Sequence, residues 1–195
     1  MDEDTVIQQS SAIITYLDAR FPSPALTPCE PQAARAALDW ERYLDEHIGV
    51  SLRPWFYHYA LPDRDLGQKF LLQGASWPRS ILFKLAHPRV RGKMLQFMNI
   101  NADSARQAEA QFLAALERVD EVLKGNDFLV EDRFSRADLT ACALLAPWCL
   151  PPKGQAIPKP LLETRNRLEG RRFYRWVRSV YDNYRRPAGD FSSAS

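Results

Sequence analysis

No apolar run in this chain of 195 residues approaches the roughly 18 needed to cross a bilayer as a helix. The acidic opening MDEDT is the opposite of the basic start of a secretory leader. Cysteine is scarce. Cys29, Cys142 and Cys149 make neither a CxxC nor a regular spacing, which excludes a disulfide framework and suits a reducing compartment. His47, His58 and His87 lack metal-ligand spacing, and no HExxH, GxSxG or Gly-rich phosphate loop occurs. Internal repeats are missing, and no stretch alternates as a strand should. These absences predict a soluble, cytoplasmic, all-α protein with none of the usual catalytic constellations and no membrane segment.

What is present is apolar residues in helical register, 46% of the chain, enough for one domain or slightly more with a proper core. A first helix is expected over 7–20, with Ile13, Tyr16, Leu17 and Phe21 on one side. Pro22, Pro24, Pro28 and Pro31 then mark a linker, and Pro31 suits the first position of a second helix. In that helix Ala33, Ala37, Trp40, Leu44 and Ile48 step by four, three, four and four, and continuation past Gly49 through Trp55, Phe56, Tyr57 and Tyr59 predicts a long, bent element. The region 62–101, broken by Gly67, Gly74, Pro78 and Pro88, reads as short helices that bury Phe70, Leu71, Ile81, Leu82 and Leu85. Over 104–124 the chain is amphipathic, with Ala108, Phe112, Ala115, Leu116, Val119 and Leu123 inward and Gly125 placed for a C-cap.

The most informative stretch is DFLVEDRFSRADLTACALLAPWCL, 127–150. Ser135 and Asp138 have capping-box spacing, with Asp where Glu or Gln is usual, and Phe134 and Leu139 form the two halves of a hydrophobic staple. Beyond them the residues are apolar nearly all round, which predicts a helix enclosed by others until Pro147 kinks or ends it. Cys142 and Cys149, about 10 Å apart along such a helix, are too far apart for a direct disulfide and read as core thiols. PPKGQAIPKP reads as a turn-rich connection, and a last helix over 171–184 directs Phe173, Trp176, Val177, Val180 and Tyr184 inward. Its outward arginines invite a nucleic-acid reading, but no motif accompanies them, and a charged solvated face is the ordinary explanation. The tail 188–195 is expected to lack packing.

Two of these stretches resemble the glutathione transferase superfamily. FLVEDRFSRADL, 128–139, is similar to the family form FLxGDxxSxAD of its C-terminal helical domain, with Glu131 in place of the usual Gly, so any positive φ there falls on a residue that tolerates it less well. Gln9, Ser10, Ile13, Tyr16 and Leu17 match the last helix of its thioredoxin-like domain. The resemblance implies a remnant of that domain over 1–21, a linker over 22–30 and a C-terminal all-α domain over 31–187. It implies that Gln9 and Ser10 hold the γ-glutamyl carboxylate of glutathione at a helix N-terminus; from the residues alone, Ser10 reads first as a helix cap. It also implies that the aromatic helix borders a site for an apolar electrophile, with Trp40, Tyr43 and Tyr57 the residues carried over. The family's thiol-activating Tyr, Ser or Cys would lie before Met1, so the resemblance implies a truncated form. Two functions follow as expectations, a glutathione transferase or a non-catalytic interaction module of the same superfamily. A homodimer or a partner chain is expected to cover apolar surface on the first helix and the aromatic helix.

Overall fold

The computed structural model describes residues 6–63, 66, 88–89, 91–151 and 157–185. The short helices expected around Phe70, Leu71, Ile81, Leu82 and Leu85, His87, and the tail 188–195 lie outside the described residues.

Among those residues the chain is all helical, with no strand. Helix α1 is Ser10–Arg20, and α2 is Pro31–Leu44. Pro31 stands at the first helical position of α2, where its missing N–H is no loss, and the Glu30 carboxylate before it accepts the Ala33 amide at 2.7 Å. Ala33, Ala37, Leu44 and Ile48 are buried as their spacing predicts. Trp40 is only half-buried, and its neighbour Glu41 takes the enclosed place instead. Past Leu44 the helix widens into a π-helical turn, Asp45–Gly49, closed by the Val50 amide donating to the Asp45 carbonyl at 2.8 Å, and resumes as α3, Leu52–Ala60. This is the bent element the sequence predicts. It sends Trp55 into the core, where the ring lies 5.6 Å from Phe112 and 5.4 Å from Trp148.

Helix α4, Ala102–Val122, begins two residues before its predicted start and is capped by Asn101. Its side chain accepts the Asp103 and Ser104 amides, both at 2.9 Å, and its own amide donates to the Ser104 hydroxyl oxygen at 2.9 Å. Gly125 does not supply the left-handed cap expected of it; α4 closes on Leu123. Helix α5, Arg136–Cys149, is followed by α6, Lys159–Leu168, and α7, Arg172–Tyr184. Prolines at 158 and 160 open α6 where the sequence reading placed only a connection. In α7, Phe173, Val177 and Val180 point inward as expected. Tyr174 joins them, while Trp176 is half-buried and Tyr184 is exposed and stacks on Phe134.

The core lies where α2 and α7 meet α5 and where α3 meets α4, with the π-turn touching both α4 and α5. Enclosure of α5 is incomplete: Ala143 and Pro147, one turn apart, face outward. Both are compact, so exposing them costs little. Pro147 sits within the helix, which ends two residues later. The apolar side of α1 is largely uncovered, as expected of a helix awaiting a partner. Ile14 is its one buried residue, whereas Ile13, Leu17 and Phe21 remain exposed.

At the turn before α5, Glu131 has φ 53°, the left-handed conformation for which the family pattern uses Gly. Glu131→Gly is expected to raise stability by about 0.5–1 kcal/mol: relief of a left-handed penalty of about 1–2 kcal/mol exceeds the added unfolded-chain entropy of about 0.4–1 kcal/mol. Urea denaturation measures this directly, and a lower midpoint for the Gly variant would contradict it.

Candidate functional site

The start of α5 explains how the chain's N-terminal part is held. Asp138 is fully buried, its Oδ1 accepting the Leu129 amide and its Oδ2 the Ser135 amide and hydroxyl, all at 2.8 Å. With the capping box so formed, the next side chain, Arg136, projects away from solvent toward α1, the linker and α2. Burial pushes the Asp138 carboxyl above its ordinary value, and its hydrogen bonds only partly offset this. Phe134 and Leu139, the proposed staple, line one groove beside α7.

Arg136 is 2% exposed. Its Nε donates to Glu41 Oε2 at 2.6 Å, its Nη1 to Thr15 Oγ1 at 3.3 Å and Thr27 Oγ1 at 3.1 Å, and its Nη2 to the Ser11 carbonyl at 3.1 Å and Ser11 Oγ at 2.9 Å. Thr27 in turn donates its hydroxyl to Asp18 Oδ2 at 2.5 Å, and that carboxylate also takes the Leu26 and Thr27 amides. Partial burial raises the Asp18 carboxyl, but the Thr27 hydroxyl, the two amides and the Arg136 charge outweigh it and hold the group below its ordinary value. Glu41 Oε1 has no partner among the described residues, and the Asp45 carboxyl one turn on is pushed upward by burial and by the Glu41 charge.

At the head of α1, Gln9 and Ser10 are both exposed. Ser10 is not the cap. It is the first helical residue, and Gln9 takes the cap position with φ 77° and no side-chain capping bond. Among the described residues the first-turn amides therefore carry no side-chain acceptor at the positive end of the helix, an arrangement suited to a carboxylate.

A second feature is a cavity of about 400 Å³ between α3, the end of α5 and the start of α6, walled by Leu52, Phe56, Tyr57, Trp148 and Leu161. Arg53 is the one charged residue among its described walls. Of the three aromatic residues carried over from the sequence, Tyr57 lines this cavity; Trp40 and Tyr43 do not. Those two meet edge to face at 5.7 Å beneath the Arg118 guanidinium, which sits 4.7 Å and 4.1 Å from their ring centres. His47 stacks on Tyr43 at 4.2 Å. Burial favours the protonated form of both inner thiols, driving Cys142 far above its ordinary value and Cys149 to about 12, the latter despite Arg165 and Arg178. Among the described residues no group of three or more side chains could hold a metal ion, and no helix is long and apolar enough to cross a membrane.

Sequence reasoning did not find Arg136, Glu41, Asp18 or Thr27. One signal was available: 33, 37, 41, 44 and 48 is as regular a stripe as the one drawn through Trp40, and it puts an acid in the core.

Residues 80–163 match the family model described as glutathione S-transferase, C-terminal domain. A solved structure of a glutathione S-transferase domain-containing protein from Marinobacter aquaeolei VT8 is similar with a TM-score of 0.52 and 24% identity, over 89% of this chain and 71% of that one. No curated protein matches the chain. The all-α architecture is thus of the glutathione S-transferase C-terminal type.

Proposed function

We propose that this chain serves glutathione-dependent conjugation, with the α3–α5–α6 cavity taking the apolar end of an electrophile and the head of α1 holding the γ-glutamyl carboxylate through Gln9, Ser10 and the first-turn amides. The cavity is the observation that carries this reading. Its volume and aromatic walls are those of a small-molecule site. The strained φ of Gln9 supports the other half, since a residue held in a rare conformation at an uncapped helix end is a common mark of a binding position. Glutathione would supply the nucleophilic thiol; the chain's residues described above would orient and desolvate.

Isothermal titration with millimolar glutathione, paired with thiol conjugation of a generic aryl electrophile, tests the proposal. Tyr57→Ala is expected to raise the electrophile KM about tenfold, a loss of about 1.4 kcal/mol, with glutathione affinity unchanged; Ser10→Ala is expected to weaken glutathione itself. Absence of both heat and conjugation would end the catalytic reading. The exposed Ile13, Leu17 and Phe21 favour the second reading, a helical interaction module whose homodimeric or partner chain covers α1. That reading predicts concentration-dependent association without glutathione binding.

A further inference from the structure

We propose that Arg136 is a positioning residue for the anion-binding head of α1, acting through Ser11 and Thr15; this rests on the reading above that a carboxylate is held there. Apolar packing does little to place α1, since Ile14 is its one buried residue and Ile13 and Leu17 are open. Polar contacts do the placing. The guanidinium is planar, with its five donors in a fixed fork, so bonding Glu41 at Nε orients both Nη groups toward α1. Nη2 then meets the carbonyl and hydroxyl of Ser11, and Nη1 meets the Thr15 hydroxyl one turn on. Ser11 directly follows Ser10. Its carbonyl shares a rigid peptide plane with the Ala12 amide, so fixing one fixes the other, and that amide belongs to the uncapped first turn. The contact thus reaches the binding end of the helix through a single peptide unit. The anchor is equally firm, because Glu41 is 2% exposed and belongs to the core face of α2. α5 therefore sets the position of a site to which it contributes no surface group.

The test compares Arg136→Lys with the double variant Ser11→Ala/Thr15→Val. Lysine keeps a charge opposite Glu41 but cannot span Glu41, Ser11 and Thr15 together. The double variant removes two acceptors on α1 and leaves the Arg136–Glu41 pair intact. Glutathione Kd by calorimetry and hydrogen exchange of the hydrogen-bonded amides in 14–20 are measured on each, with those of 105–119 in α4 as the internal reference. Both variants are expected to exchange at least about tenfold faster in α1, with α4 unchanged. Kd is expected to rise about tenfold for Arg136→Lys and about threefold for the double variant. Unchanged exchange in α1 overturns the proposal, as does faster exchange with unchanged Kd. If the unaltered protein binds no glutathione, the reading of the site fails on its own; faster α1 exchange would then still uphold Arg136 as the anchor of α1, and unchanged exchange would overturn it. Should Arg136→Lys fail to fold, the double variant decides by the same two readouts.

Discussion

Glu41→Ala is expected to destabilise the protein by about 3–5 kcal/mol, because it leaves the Arg136 guanidinium in the interior without its counter-charge. Both partners are almost completely buried and 2.6 Å apart, so solvent screens them very little. The remaining acceptors of Arg136 are hydroxyls and a carbonyl, which solvate a cation but do not neutralise it. For a chain of this size the loss corresponds to a fall in Tm on the order of 6–20 °C. The cost of breaking the pair is not its net worth, however. Glu41 Oε1 is buried without a partner, so desolvation offsets much of the attraction. The double variant Glu41→Leu/Arg136→Met is therefore expected to recover a large part of the loss, though not the bonds to Ser11, Thr15 and Thr27. Equilibrium unfolding in guanidinium chloride resolves both values. A loss below about 1 kcal/mol for Glu41→Ala would mean that the cation finds water after all.

Asp138→Ala should fall in the same range, about 3–5 kcal/mol, for a different reason. It removes no ion pair; it leaves the Leu129 amide and the Ser135 amide and hydroxyl without their acceptor in a dry site, and each stranded buried donor costs about 1–3 kcal/mol. Ser135→Ala, which takes away one partner of the capping box, should cost only about 1 kcal/mol. The order of the two is the discriminating result, since a cap that mattered only for the helix end would make them equal. A pH series adds a signed test with Asp138→Asn. Burial raises the folded-state carboxyl, so its contribution is fullest below the ordinary Asp value of 3.8 and is lost as pH rises through the raised one. The stability of the parent protein relative to Asp138→Asn should accordingly fall as pH rises from below 3.8 through the raised value.

The parts of this fold that were legible in the sequence are those written locally. Ser135 and Asp138 are three residues apart, Pro31 heads its helix, and Ala108 to Val119 repeat at helical spacing, so short-range rules suffice. Glu131 belongs with them, its strained φ following from one absent Gly. What escaped is what depends on partners far along the chain. Glu41 and Arg136 lie 95 positions apart, and each looks like a solvated helix charge until the other is beside it. The polar contacts of α1 escaped similarly, because Ser11, Thr15 and Asp18 find their partners in Arg136 and the linker, far along the chain. Helix α6 was hidden by its own prolines, which read as a turn but stand in the first turn, where they start a helix. At the candidate site, Tyr57 lay on a face the aromatic spacing could indicate, whereas Trp40 and Tyr43 are drawn to Arg118, and nothing in the local sequence marks that competition.

The π-helical turn at Asp45–Gly49 can be viewed as one residue too many in an otherwise continuous rod from Pro31 to Ala60. An α-helix advances about 100° per residue, so a surplus residue rotates everything after it by about that angle relative to everything before it. Past the turn Trp55 still enters the core, against Phe112 and Trp148, while Ala37 and Leu44 are buried before it. Excising one residue from it would leave composition, charge and helix content nearly intact while rotating Phe56 and Tyr57, which wall the cavity, by about 100° relative to α2, so the cavity depends on a turn that supplies none of its described walls.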